Sequence, residues 1–278
     1  MSVNYAEKYS PLVDEAFALG SFTQGLVNQN FDWIGVSGVK VYSIPTKDWI
    51  DYTTSGTNRY GLPEELDNEV QEMLITQDKA FTFTIDKKSE DDTMGTMEAG
   101  KALARQIEQV VIPGVDTYRL TRLVAGAESG HVTEIVTTAS NAYETFLGLQ
   151  EKIDDGKAPQ GGRVAVVTPA YFNKIKLDSS FTKSGDLATK ISLNGQVGEI
   201  DGVPVIKVPT SYLPVGVDVV ITNSIVMPAP IKLAEYKIHD DAPGISGYLV
   251  EGRVRFDAFV LNNKKKAIAV NKKIEAGA

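Results

Sequence analysis

Phe81-Thr82-Phe83-Thr84-Ile85 alternates apolar and polar side chains without a break. That period of two is the signature of a strand with one covered face. An earlier strand pattern occupies residues 36–44 and stops at Pro45, and a polar excursion over about residues 46–65 separates the two. Connections between elements usually run about 4–6 residues, so this excursion is far too long for a hairpin turn. The segment reads as a two-stranded arm that leaves the body with little core of its own. A surface outside the chain has to cover such an arm, which favours an assembly protein over a self-contained enzyme.

Inside the excursion, residues 51–61 mix turn formers with β-formers. Trp49, Tyr52 and Tyr60 punctuate it. Aromatic residues in a polar loop are either contact anchors for a partner or packing against their own domain, and the sequence leaves both open. After the strand, Ser89-Glu90-Asp91-Asp92-Thr93 supplies side-chain acceptors and negative charge suited to a helix start. Met94, Met97, Ala104, Ile107, Val111, Val115 and Tyr118 then recur at helical spacing. A helix running to about Val124 would have about 30 residues and span about 45 Å. Pro113 lies inside it and is expected to kink or interrupt it.

Outside this block, Ser10-Pro11 is a plausible helix start for residues 12–19, and past Gly20 the chain reads as an arm. Residues 138–154 form a second helical pattern with Ala142, Phe146, Leu149 and Ile153 on one side. Arg163-Val164-Ala165-Val166-Val167 is a short apolar strand, and Thr168-Pro169-Ala170 starts another helix. A polar loop covers residues 179–190. Asp201-Gly202 turns a hairpin. Residues 217–222 form a strand, and from Ile231 onward strands are expected at 233–239, 248–261 and 266–270. Strand and helix alternation in the middle and strands at the end give an α+β chain.

Composition narrows the chemistry. The chain has 278 residues, 42% of them hydrophobic, enough for a sizeable core. It has no cysteine, which excludes disulfides and thiolate metal sites. No apolar run reaches the roughly 20 residues of a membrane span. The N-terminus lacks a signal-peptide pattern, so folding in a cytoplasm is expected. A net charge of −8 makes strong nucleic-acid binding unfavourable for the chain as a whole. Lys264-Lys265-Lys266 with Lys272-Lys273 forms a local basic patch or a solvated turn.

His131 and His239 are the only histidines, and neither has a spaced partner. Nucleotide-binding glycine loops and a nucleophile elbow are both missing. Asp91-Asp92, Asp154-Asp155 and Asp240-Asp241 lack calcium-loop spacing and read as caps or solvated turns. Glu251, Arg253, Arg255 and Asp257 occupy alternate strand positions and share one face, where they could form cross-strand or inter-subunit ion pairs. No catalytic, cofactor or metal site is expected.

The order of elements resembles the major capsid protein of tailed bacteriophages, with the Hong Kong 97 fold. Three strings carry the local likeness: Asn58-Arg59-Tyr60-Gly61, Asp91-Asp92-Thr93-Met94, and Gly198-Glu199-Ile200-Asp201-Gly202-Val203-Pro204-Val205. The resemblance implies an N-terminal arm over residues 1–35 and an extended loop over 36–88. It implies a peripheral domain with a spine helix over 89–129, an axial domain over 130–224, and return strands of the peripheral domain over 225–278. It further implies a structural subunit, not an enzyme, that forms the pentamers and hexamers of an icosahedral virion shell around packaged double-stranded DNA.

Its partners would be copies of itself, a portal, and DNA touched nonspecifically on the inner face. There would be no membrane, and assembly would take place in the bacterial host cytoplasm. Some members carry a helical scaffolding segment before the arm; here that segment is expected to be either a separate protein or already removed, and Met1 favours the separate protein. Some members crosslink a lysine to a neighbour's asparagine. Lys47 lies at the loop base, but noncovalent assembly is expected here. Trp49, Tyr52, Arg59, Tyr60, Arg253 and Arg255 are the expected inter-subunit contacts. An encapsulin-like compartment shell and a monomeric α+β hydrolase are the alternatives.

Overall fold

Residues 38–43 leave the body as β1 (Gly38–Ser43) and the chain returns as β2 (Glu69–Leu74), which makes an antiparallel ribbon. The computed structural model describes residues 20–28, 30, 31, 33, 38–44, 46–65, 69–88, 98–178, 196–240 and 242–273. The expected helix at 12–19, the acidic cap at 89–93 with Met94 and Met97, and the 179–190 loop lie outside the described residues.

Strand β3 (Gln77–Asp86) contains Phe81–Ile85 and has one covered face, as its alternation requires. Its partner is not the ribbon. It lies antiparallel to β10 (Gly247–Phe256), which pairs on its other side with β9 (Ile231–His239). Phe83 stands opposite Val250 and Ile85 opposite Tyr248. The return strand β2 is hard to read from sequence because its apolar residues fall on both faces. Met73 is buried against the body, whereas Val70 and Leu74 face solvent.

The long helix is one rod in three parts: α1 (Ala99–Gln106), a π-helical segment Ile107–Val111, and α2 (Ile112–Ala125). It spans about 40 Å at about 1.5 Å per residue. Pro113 does not break it. Proline has no N–H to donate and crowds the carbonyl four residues back. The widened turn just before it accommodates that defect, and the Ile112 N–H reaches the carbonyl of Ile107, five residues back.

The rod joins two cores. Leu103, Ile107, Ile112 and Val115 pack on the sheet of β3, β10 and β9. Leu120, Leu123 and Val124 pack on a six-stranded sheet.

That larger sheet has the order β4 (Val132–Thr133), β11 (Ala269–Lys272), β8 (Val217–Asn223), β5 (Arg163–Val167), β7 (Val203–Lys207), β6 (Gln196–Ile200). Both faces are covered, so β5 and β8 are nearly continuous apolar runs. Val166, Val220 and Val270 face the α2 side. Ala165, Val167, Val219 and Ile221 face α3 (Ala142–Asp155) and α4 (Pro169–Leu177). Thr168 caps α4, its hydroxyl accepting from the Tyr171 N–H. Asp201 and Gly202 both take positive φ, 50° and 73°, as a tight hairpin turn requires. The last expected strand, at 266–270, begins later: residues 262–267 form a 3-10 turn instead.

Candidate functional site

The arm beyond β1 and β2 lies largely in solvent. Trp49 is 100% exposed and Tyr60 85% exposed. Tyr52 is also exposed and meets Tyr60 edge to face, with ring centroids 4.9 Å apart. Of the two roles open to these aromatics, packing back on their own domain is not what the structure shows. The tip closes on itself. Thr53 N–H donates to the Arg59 carbonyl at 3.1 Å, Gly61 N–H to the Asn58 carbonyl at 3.0 Å, and Arg59 Nε to the Gly56 carbonyl at 3.2 Å. Lys47 and Glu64 form an ion pair between the two rails. Ile44, Ile50 and Leu62 add exposed apolar surface that the sequence reading did not single out. On the ribbon, Tyr42, Val70 and Leu74 are exposed on one face beside the Lys40–Glu72 pair at 3.9 Å.

The base of this arm is firmly held. Val39, Val41 and Met73 pack with Phe259, Leu261 and Trp33, and the Trp33 and Phe259 rings stack 5.6 Å apart. The Gln71 side chain bridges the Val260 carbonyl at 2.8 Å and the Asn262 N–H at 2.9 Å.

Asp257 ties the β2–β3 turn to the rod. It accepts from the Thr76 N–H at 2.8 Å, the Thr76 hydroxyl at 2.9 Å, the Tyr118 hydroxyl at 2.7 Å and the Ala258 N–H at 2.8 Å. Burial, then the bond to Asp257, pushes the Tyr118 phenol above its ordinary pKa. This corrects the placement of Asp257 on an exposed face with Glu251 and Arg253. Strand β10 ends at Phe256 after a register shift, and Asp257 turns inward to 1% exposure.

Arg253 does make a cross-strand pair, within its own chain. Its Nε and Nη2 hold the two Asp78 oxygens at 2.9 and 2.6 Å. That hydrogen-bonded cation lowers the Asp78 pKa below its ordinary value. Arg255 stands on the same strand face, and Glu251 meets His239 at 3.3 Å. Beneath these, Gly252 pairs with Phe81 on one side and Tyr236 on the other. A Cβ there would overlap the Phe81 ring.

A second anchor joins the segment after Gly20 to the rod. Asp116, wholly buried, accepts from the Ser21 hydroxyl at 2.6 Å, the Phe22 N–H at 2.9 Å and the Thr23 hydroxyl at 2.5 Å. Arg119 reaches Thr23 and the Ala229 carbonyl at 3.1 Å each, and burial lowers its pKa to about 10 against the pull of Asp116. Both side chains are buried on the rod where the segment after Gly20 crosses it.

Among the described residues no group of three acidic or histidine side chains is placed to hold a metal ion. Asp154 instead pairs with buried Arg163 at 2.6 Å, and Asp91-Asp92 lies outside the described residues. Also among the described residues, no helix is long and apolar enough to cross a membrane. Lys264, Lys265 and Lys266 occupy the 3-10 turn, where Lys264 donates to the Ile225 carbonyl at 3.4 Å.

No protein-family model matches the chain, and no curated protein matches it. Solved structures do. A chain from the asymmetric unit of the bacteriophage PhiM1 mature capsid aligns with TM-score 0.66 at 12% identity, over 92% of this chain and 88% of that one. A chain from Mycobacterium phage Bobi aligns with TM-score 0.66 at 14% identity, over 93% and 91%. The virus-like particle from Pyrococcus furiosus aligns with TM-score 0.59 at 12% identity, over 97% and 100%. At such identities the likeness establishes architecture. The chain has the fold of phage capsid chains, the α+β fold that the order of elements led us to expect.

Proposed function

We propose that this chain is a structural subunit of an icosahedral phage capsid, assembling through pentamers and hexamers into a shell around packaged double-stranded DNA. The observation that carries this reading is the arm. In a chain with the fold of phage capsid chains, residues 46–65 project a fully exposed Trp49 and an exposed Tyr52–Tyr60 pair from a rigidly anchored base. Exposed aromatic and aliphatic side chains gathered on one segment favour an interaction site. A contact between an arm and a different surface on the next copy is heterologous, and such contacts close into rings when the rotation between copies closes. The role is structural rather than catalytic. An acidic wall also suits DNA that has to be packed and later released. A separate scaffolding protein and a portal complete the proposed set of partners.

Electron microscopy of the expressed chain, alone and with its scaffolding protein, tests the proposal through closed shells of uniform diameter. A strictly monomeric species under both conditions would refute it. An encapsulin-like shell is the second reading, supported by the near-complete alignment to the Pyrococcus furiosus virus-like particle. The contents separate the two: nucleic acid in the first, a loaded protein in the second.

A further inference from the structure

Strand β9 is an edge. Among the described residues β10 is its only strand neighbour, and its other side carries no ladder. An open edge presents a row of backbone donors and acceptors, a ready template for another strand. At nine residues it is too long to be blunted by shortness alone.

The side chains select what that other strand can be. When two copies of one strand pair antiparallel about a two-fold axis, one residue faces itself and those on either side face each other in turn. An axis at Glu235 or at Lys237 sets like charges together. An axis at Ala234 or Ile238 gives no opposite-charge pair. An axis at Tyr236 sets Glu235 opposite Lys237 and Lys232 opposite Asp240, each twice, with Ala234 opposite Ile238. Ala234 and Ile238 already pack on the core beneath the sheet, so their pairing continues it.

The same register suits the exposed face of the whole sheet. Within one chain Arg253 stands opposite Glu235, and Glu251 opposite Lys237. A second copy extends each pair into a row that runs Arg253, Glu235, then Lys237 and Glu251 of the second copy, with the sign alternating at every step. Facing opposite charges favour a register and facing like charges oppose one. We propose that β9 pairs antiparallel with β9 of a second copy of this chain, across a two-fold axis at Tyr236, and joins two three-stranded sheets into one. The contact is isologous and uses no part of the arm, so it goes beyond the shell reading and adds a pairwise link between copies.

The absence of cysteine permits a clean test. Glu235→Cys and Lys237→Cys subunits are mixed, assembled and treated with oxidised glutathione, which takes up the two electrons and protons as the disulfide forms. Facing Cα atoms of an antiparallel pair lie about 4.5–5.5 Å apart, within the roughly 4.4–6.8 Å that a disulfide spans. Covalent dimers that require both variants, and that vanish on reduction, are the expected result. Closed shells without such dimers would overturn the strand pairing and leave the shell function standing. An unmodified chain that stays monomeric, alone and with its scaffolding protein, would overturn both.

A charge exchange guards against cysteine variants that do not assemble. Glu235→Lys alone, or Lys237→Glu alone, sets like charges opposite each other at the axis and should lower the associated fraction read by sedimentation. Mixing the two variants restores opposite charges at both positions and should regain it. Each variant keeps its own disturbed contact with Arg253 or Glu251, so recovery on mixing arises between copies. An unaffected fraction in the single variants, or no recovery in the mixture, would count against the pairing.

Discussion

Tyr60 meets Tyr52 edge to face across the arm, 4.9 Å between ring centroids, with both rings exposed. Two aromatic rings shielding each other in solvent give the tip a preferred shape before any partner arrives. Pre-shaping lowers the ordering cost of association.

Deleting residues 53–61, or replacing Trp49 with Ala, should leave subunit stability within about 0.5 kcal/mol, because exposed side chains away from the core contribute little. Shell yield should fall sharply in both. Thermal unfolding alongside particle counting by electron microscopy checks the two halves separately.

Asp257 should matter for the angle at which the arm leaves. Asp257→Asn turns one of its two acceptor oxygens into a donor facing either Thr76 or Tyr118. Leaving those buried partners unmatched should cost about 1–3 kcal/mol. Tyr118→Phe removes one bond and should cost about 1 kcal/mol. Hydrogen exchange at the Thr76 amide should accelerate in Asp257→Asn more than in Tyr118→Phe.

Gly252→Val should destabilise by about 1–3 kcal/mol, since its side chain must displace the Phe81 ring that lies over Gly252. Denaturant unfolding measures this directly. A Phe81→Ala change in the same chain should relieve part of the overlap, so the two substitutions should not add.

The Asp78 carboxylate is held below its ordinary pKa of 3.8 by Arg253. A depressed folded-state value means that the pair stabilises the fold above the unfolded pKa. That stabilisation is lost as pH falls below about 3.8, through the lower folded-state pKa. NMR titration should give an Asp78 midpoint below 3.8, and Arg253→Ala should return it to the ordinary range.

Much of the fold was legible because short-range signals agreed with tertiary ones. The apolar run Arg163–Val167, the Thr168 cap and the Asp201-Gly202 turn each state their structure locally. Strand partners were less accessible. Phe81–Ile85 announces a strand, yet its neighbour lies more than 150 residues away in β10, and no local pattern encodes that choice. Strand β2 escaped notice because a ribbon with one face on Phe259 and Leu261 and the other in solvent carries mixed apolar positions.

Of the candidate residues, Trp49, Tyr52 and Tyr60 were readable as aromatics in a polar loop. Arg253 was readable as half of an ion pair, though not its partner Asp78. The inward turn of Asp257 and the burial of Asp116 depend on a bulge and on a chain segment arriving from afar, and sequence spacing records neither.

Cryo-electron microscopy of particles assembled from the unmodified chain tests the central claim most directly. The proposal expects closed shells in which density for residues 46–65 of each subunit lies on its neighbour, with Trp49 buried there. Shells in which the arm stays free in solvent, or a chain that remains monomeric with its scaffolding protein present, would contradict it.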